Sequence, residues 1–140
     1  MANAIYPKWK EALEQASTDS KLSSTNVRVA FLDTGTYTYN SAHDFYNDLS
    51  GVYPATRATG VALANRTYTN GTLDADDTTF SAFSNGSVSV EAITMYIDDG
   101  SADATSRLIM YMDTSITGMP FTPSGGDVTI QWNASGIFTL

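Results

Sequence analysis

The stretch Val27-Arg28-Val29-Ala30-Phe31-Leu32-Asp33-Thr34-Gly35 decides the fold class of this 140-residue chain. Its first six residues alternate, so that Val27, Val29 and Phe31 share one face of a β-strand. The second face carries Ala and Leu beside a single Arg, so we expect the strand to be buried on one face and partly covered on the other. The Asp-Thr-Gly that follows is typical of a turn and ends the strand.

Short strands separated by turn residues are predicted along the rest of the chain. Asn70-Gly71 and Asn85-Gly86 are signals for tight hairpins. Strand-like segments occupy residues 61–68, 78–83, 88–97, 107–112 and 127–132, with shorter ones at 36–39 and 137–140. Strands and helices do not alternate regularly, so a parallel α/β sheet is not expected. This pattern predicts a mainly β protein, an antiparallel β-sandwich or barrel-like domain.

Residues 4–16 hold the one strong helical pattern. Pro7 suits the first turn of a helix, and Trp9, Ala12 and Leu13 recur at helical spacing. The stretch 41–49 also fits a short helix. The predicted organisation is a single domain over 1–140, with an N-terminal α-helix over 4–16, a polar linker over 17–26 and a β-rich body over 27–140.

The charge of the chain argues against two classes of partner. Seven basic residues face fifteen acidic ones, which gives a net charge of −8. The basic residues are scattered, whereas nucleic-acid binders cluster them to neutralise phosphates. Anionic membrane surfaces are disfavoured for the same reason, and no apolar run approaches the length of a membrane span. If the Met1 start is native, we expect synthesis and retention in the cytoplasm.

Catalysis has little support in the sequence. The chain has no cysteine and one histidine, His43, which lies between Ser41 and Asp44. A Ser–His–Asp triad needs side chains that converge from separate elements, which three residues so close in sequence do not provide. No nucleophile-elbow motif is present. We therefore expect no enzyme activity and no cofactor, and a small hydrolase is the weakest of the alternatives.

Two groups of aspartates are candidates for calcium. Asp98, Asp99 and Asp103 form one acidic loop, and residues 74–77 contain three more aspartates. Carboxylate oxygens are the ligands that calcium prefers. However, the glycine at position 100 comes too early for an EF-hand loop and no Glu closes the site. A solvated turn is the competing interpretation, and we expect no metal.

Aromatic residues are concentrated in one stretch. Tyr37, Tyr39, Tyr46 and Tyr53 lie there together with Phe45. Exposed aromatics in this pattern would suit a glycan-binding face or an assembly interface. Ordinary packing in the core is the third alternative, and the sequence does not separate the three.

Four stretches together resemble a family of small virion structural proteins from tailed bacteriophages. They are Ala4-Ile5-Tyr6-Pro7-Lys8-Trp9-Lys10-Glu11-Ala12-Leu13, Val29-Ala30-Phe31-Leu32-Asp33-Thr34-Gly35-Thr36-Tyr37, His43-Asp44-Phe45-Tyr46-Asn47-Asp48-Leu49 and Trp132-Asn133-Ala134-Ser135-Gly136-Ile137-Phe138. The resemblance runs along nearly the whole chain and is looser in the middle. It implies a structural role in a virion, and it carries no catalytic residue.

Small size, acidity, β content and the lack of an enzyme motif favour a capsid decoration, or cement, protein within that family. Such a protein would lie on the capsid surface, bind the major capsid protein and form a homo-oligomer, with a trimer favoured. Trp9, Leu13, Ile137 and Phe138 are the candidate interface residues, and packing within the same chain is an equally open alternative for them. The rival hypotheses are a tail or baseplate component that binds tail proteins, and a glycan-binding receptor protein.

Overall fold

The computed structural model describes residues 3–23 and 26–140. Within these ranges the chain forms one α-helix, α1 (Pro7–Glu14), and eleven strands. The strands are β1 (Ala4–Ile5), β2 (Val27–Leu32), β3 (Val52–Tyr53), β4 (Val61–Ala62), β5 (Thr67–Thr69), β6 (Thr72–Asp74), β7 (Thr78–Phe80), β8 (Ala92–Ile97), β9 (Leu108–Met112), β10 (Val128–Ile130) and β11 (Phe138–Thr139). All strand pairs are antiparallel.

The central sheet has the order β1-β9-β8-β2-β3, and β4 also pairs with β2. The longest pairing joins β2 to β8 over six residues, with Val29 opposite Met95. Every residue of β8 is buried, so both faces of this sheet are covered. The prediction of a mainly β protein with antiparallel sheets and one N-terminal helix is confirmed.

One face of the central sheet is covered by phenylalanine side chains. Phe31 lies on this face, and its ring contacts those of Phe80, Phe83 and Phe121 at centroid distances of 4.7, 5.4 and 5.2 Å. Phe80 belongs to β7, which pairs with β10 in a separate two-stranded sheet. A second layer of strands therefore packs on this face, as in a sandwich.

The opposite face is covered by tyrosines from the connection between β2 and β3. Tyr37 and Tyr39 pack on Tyr111 of β9, at centroid distances of 6.0 and 5.2 Å. Tyr46 packs on Tyr96 of β8 at 4.7 Å. The strand predicted over 36–39 is therefore wrong, because this segment covers the sheet instead of joining it.

The third sheet, β5-β6-β11, brings the two ends of the described chain together. Asn70 and Gly71 connect β5 to β6 with φ values of 51° and 77°, the left-handed geometry of a tight hairpin turn. This confirms the predicted turn. Phe138 of β11 contacts Trp9 of α1 edge to face, with the ring centroids 5.8 Å apart.

The helix is shorter than the predicted 4–16. Ala4 and Ile5 instead form β1 and pair with Tyr111 and Met110 of β9, because hydrogen bonding along an open sheet edge satisfies their backbone groups. The helix then starts at Pro7, which needs no N–H partner in a first turn.

Other predicted elements also differ in detail. Residues 41–49 contain only a 3₁₀ turn, Tyr46–Asp48, and the predicted strand 61–68 is divided between β4 and β5. Asn85-Gly86 does not join neighbouring strands, since β7 pairs with β10. The predicted linker contains a 3₁₀ turn, Thr18–Ser20, and its residues 24–25, like residues 1–2 of the predicted domain, lie outside the described residues.

We expect Trp9→Ala to lower the free energy of unfolding by about 3–5 kcal/mol, the range for a large buried aromatic side chain. Trp9 is fully buried and its indole Nε1 donates a hydrogen bond to the Ser20 carbonyl at 2.9 Å. Urea denaturation followed by circular dichroism measures the change. The control is Lys10→Ala, an exposed position on the same helix, for which we expect less than about 0.5 kcal/mol. Full stability of Trp9→Ala would contradict this role in the core.

Candidate functional site: assembly surfaces and an uncharged groove

The structure places the predicted interface residues of α1 inside the domain. Trp9 has no exposed surface, and Leu13 is partly buried against the same core. Trp9 therefore does not offer a surface to a neighbouring molecule, because its ring is already enclosed by Phe138 and the chain around Ser20. For these residues the structure favours packing within the chain.

The predicted C-terminal interface is also engaged within the chain. Phe138 pairs with Leu73 of β6, and the Ile137 N–H donates to the Leu73 carbonyl at 2.7 Å. Both side chains remain half-exposed. The tail therefore completes a sheet of its own chain.

The acidic loop after β8 is tied to arginines. Asp98 is 3% exposed, and its carboxylate accepts hydrogen bonds from Arg28 Nε at 2.9 Å and from Arg57 Nη1. Arg57 Nε also lies 3.5 Å from Asp103 Oδ1. Both carboxylate oxygens of Asp98 are paired with guanidinium groups, which repel a cation. Asp99 Oδ1 accepts hydrogen bonds from the Ser101 N–H and Ser106 Oγ. These contacts disfavour the calcium site that the sequence suggests for Asp98, Asp99 and Asp103. In the described ranges no group of three or more His, Asp or Glu side chains is placed to hold a metal ion.

Electrostatics keep Asp98 ionised. Burial alone would raise the pKa of its carboxyl, but the Gly100 N–H and the Arg28 and Arg57 guanidinium groups outweigh burial and lower it. Gly60 is part of the same cluster, since its carbonyl accepts a hydrogen bond from Arg28 Nη1 at 2.8 Å. A side chain at Gly60 would collide with the Tyr96 hydroxyl. These contacts fix the ends of β2 and β8 to the 3₁₀ turn that contains Arg57.

His43 is held by a chain of phenol groups. Its Nδ1 lies 2.9 Å from the Tyr37 hydroxyl, and that hydroxyl lies 2.8 Å from the hydroxyl of Tyr6, which is fully buried. Burial raises the pKa of Tyr37 to about 12 and that of Tyr6 further. These phenols therefore stay protonated at neutral pH, and the His43 imidazole is positioned by a structural network.

The tyrosine-rich stretch does not form an exposed aromatic face. Tyr37 and Tyr46 are almost completely buried, and Tyr39 and Tyr53 are partly buried. Ordinary packing is therefore the alternative that the structure supports for these residues. Tyr68 of β5 is 51% exposed, and sequence reasoning did not single it out because it lies in a short polar strand.

A groove of about 620 Å³, here called the β10 groove, runs between the central sheet and β10. Phe31 and Ile93 form its floor, and residues 128–133 line one wall. None of its lining residues is charged, although the chain as a whole carries a net charge of −8. Glu91 and Asp113 line a smaller adjoining cavity of about 480 Å³. The sequence predicted a strand over 127–132 but gave no signal that its edge would stay open.

The chain matches no protein-family model and shows no significant similarity to a curated protein or to a solved structure. Within the described parts of the chain, no helix is long and apolar enough to cross a membrane.

We expect Asp98→Asn to lower the free energy of unfolding at pH 7 by about 3 kcal/mol, the lower end of the range for breaking a buried ion pair. The loss lies at that end because Arg28 and Arg57 remain partly solvated, at 20% and 16% side-chain exposure. The matched control is Asp103→Asn. It removes a carboxylate that contacts the same Arg57 but is 54% exposed, so we expect less than about 1 kcal/mol.

The pH dependence of the free energy of unfolding gives a second test, on wild type and Asp98→Asn. The pKa of Asp98 is lowered in the folded state, so its stabilisation is present above the unfolded-state pKa of about 4 and is lost as the pH falls through the folded value. The difference between wild type and Asp98→Asn should therefore shrink below about pH 4. Chemical denaturation at several pH values measures it. A difference that stays constant down to pH 2 would contradict the ion-pair explanation.

Proposed function

We propose that this chain is a structural protein of a tailed-bacteriophage virion and that it binds the outer surface of the head as a decoration protein. In this proposal it acts without catalysis, contacts the major capsid protein and is present as a homo-oligomer, with a trimer as the favoured state. Synthesis takes place in the host cytoplasm before incorporation into the particle.

The observation that supports the proposal most is the mutual contact of the four stretches that resemble the phage family. Tyr6, Tyr37 and His43 come from three of these stretches and are linked by hydrogen bonds of 2.8 and 2.9 Å. Phe138, from the fourth, packs on Trp9 of the first. The resembling stretches are therefore linked to one another within the domain, although β8 and β9 lie outside them.

Three arginines and the single histidine of the described residues are engaged within the chain. Arg28, Arg57 and Arg107 all pair with aspartates of the same chain, and His43 is bound to Tyr37. The open features are an uncharged groove and strand edges, which suit contacts with another protein. These features support a binding role over a chemical one.

The physical mechanism of a decoration protein is mass action. A protein that binds the assembled shell and not its separated subunits stabilises the shell by RT ln(1 + [L]/Kd), which is about 2.7 kcal/mol per site at a hundredfold excess over Kd. The stabilisation per site grows only with the logarithm of [L]/Kd, whereas the total grows in proportion to the number of occupied sites. Many bound copies therefore stabilise the shell more than a few tightly bound ones.

The proposal predicts that this chain appears on the head in a cryo-electron-microscopy reconstruction of the virion. Particles that lack it should release their DNA at a lower temperature, and the purified chain should restore the original temperature when added back. A dye that fluoresces on released DNA measures the transition.

The addition of the Trp9→Ala protein provides the control, since a destabilised domain should restore less. Density for the chain only on the tail would overturn the decoration proposal and favour the tail or baseplate alternative. Binding of the isolated chain to a glycan array would favour the receptor-binding alternative. Hydrolysis of cell-wall material that is lost in His43→Ala would overturn the non-catalytic part.

A further inference from the structure

The β10 groove follows the edge of a strand. Val128, Thr129 and Ile130 of β10 all line it, and so do Gln131 and Trp132 immediately after the strand. Successive side chains of a strand point to opposite faces. A groove that touches every residue in succession must therefore run alongside the backbone and not across one face.

The register of β10 shows which backbone groups point into this groove. β7 is the single strand partner of β10 among the described residues, and Thr129 lies opposite Thr79 with their Oγ1 atoms 2.9 Å apart. Side chains approach most closely in the non-hydrogen-bonded pairs of an antiparallel ladder. The N–H and C=O of Thr129 therefore point away from β7, towards the groove.

A second contact agrees with this direction of the Thr129 backbone groups. Trp132, three residues further on, donates its N–H to Asp77 Oδ1 at 3.0 Å, and Asp77 immediately precedes β7. Backbone groups alternate in direction along an extended strand, so the N–H of Trp132 and that of Thr129 point to opposite sides. The edge that faces the groove thus presents a donor and an acceptor at Thr129.

We propose that the β10 groove binds an extended, uncharged segment of a partner polypeptide, which adds as a strand to the free edge of β10. The main-chain hydrogen bonds go to Thr129, and alternate apolar side chains of the segment enter the space above Phe31 and Ile93. That the segment belongs to another protein of the particle rests on the proposed function. The chemistry of the segment, by contrast, is inferred from the groove itself.

Charge and geometry favour a peptide segment over the other occupants. The lining carries no charged side chain, so it offers no partner to a charged ligand and would leave that ligand's charge desolvated. A second folded copy would have to insert its own sheet into the recess above Phe31 and Ile93, whereas a single extended segment fits beside the strand edge. A strand edge offers alternating donors and acceptors, which match another extended backbone.

The test uses an acetylated and amidated peptide of alternating valine and threonine, titrated into the full chain by calorimetry. Its control is the same peptide N-methylated at alternate residues, which removes donors from one edge and keeps the side chains. We expect the methylated peptide to bind about tenfold more weakly for each hydrogen bond removed. Equal affinities of the two peptides, or no binding by either, would overturn the proposal.

Variants at β10 give an independent reading. Thr129→Pro removes the N–H on the groove side and leaves the pairing with β7 intact, because proline is tolerated on the open side of an edge strand. This variant should bind the peptide about tenfold more weakly, the loss expected for one hydrogen bond. Thr129→Val keeps the backbone donor and should bind like wild type. Gln131→Glu places a charge beside the bound strand and should also weaken binding. If Thr129→Pro fails to fold, the comparison of the two peptides on the wild-type chain decides.

Two outcomes would assign the groove to a different occupant. Self-association of the wild-type chain that is lost in Thr129→Pro would assign the groove to a second copy and overturn the partner-segment proposal. Displacement of the peptide by a neutral maltooligosaccharide would assign it to sugars and overturn it as well. Since all these measurements use the isolated chain, their failure leaves the virion location to be decided by microscopy.

Discussion

The burial of β8 on both faces is the constraint on which the rest of the structure depends. All six residues of Ala92–Ile97 are buried, and such a strand needs a covering layer on each side. The phenylalanines around Phe31 supply one layer, and the tyrosines that pack on Tyr96 and Tyr111 supply the other. Short strands and a long connection can cover the two faces of β8, because burial requires apolar surface area and not a continuous hydrogen-bonded sheet.

The sequence predicted features that depend on neighbouring residues and missed those that depend on distant ones. The alternation of Val27–Leu32 and the turn at Asn70-Gly71 are local, and both are present in the structure. Asp98 was considered as a calcium ligand because nothing in its own loop indicates Arg28, which lies seventy residues away along the chain. Trp9 likewise has helical spacing whether its partner is a neighbouring molecule or Phe138 of the same chain, so sequence alone left both open.

Three arginines pair with aspartates from distant segments of the same chain. Arg107 contacts Asp19 through Nε at 2.8 Å and also lies over the Phe45 ring, 4.5 Å from its centroid, while Arg28 and Arg57 share Asp98. These three residues join distant segments of the chain. Asp98 is the one buried acidic side chain among the described residues, and the others lie partly or fully at the surface. In the proposed binding mode, a partner in the β10 groove would bury no charged side chain of this lining, which avoids the cost of burying a charge.

The distribution of strand edges limits the kind of partner that can bind. β1 covers part of the edge of β9, and β3 and β4 share the outer edge of β2, so the central sheet leaves little backbone unpaired at these places. The β10 edge is different, because β7 is its one strand partner among the described residues and its other side faces the groove above Phe31 and Ile93. In the proposed binding mode, such a recess admits one extended segment more readily than the broad flat sheet of another folded domain. A recessed edge is also less accessible to edge-to-edge pairing between copies than an exposed one.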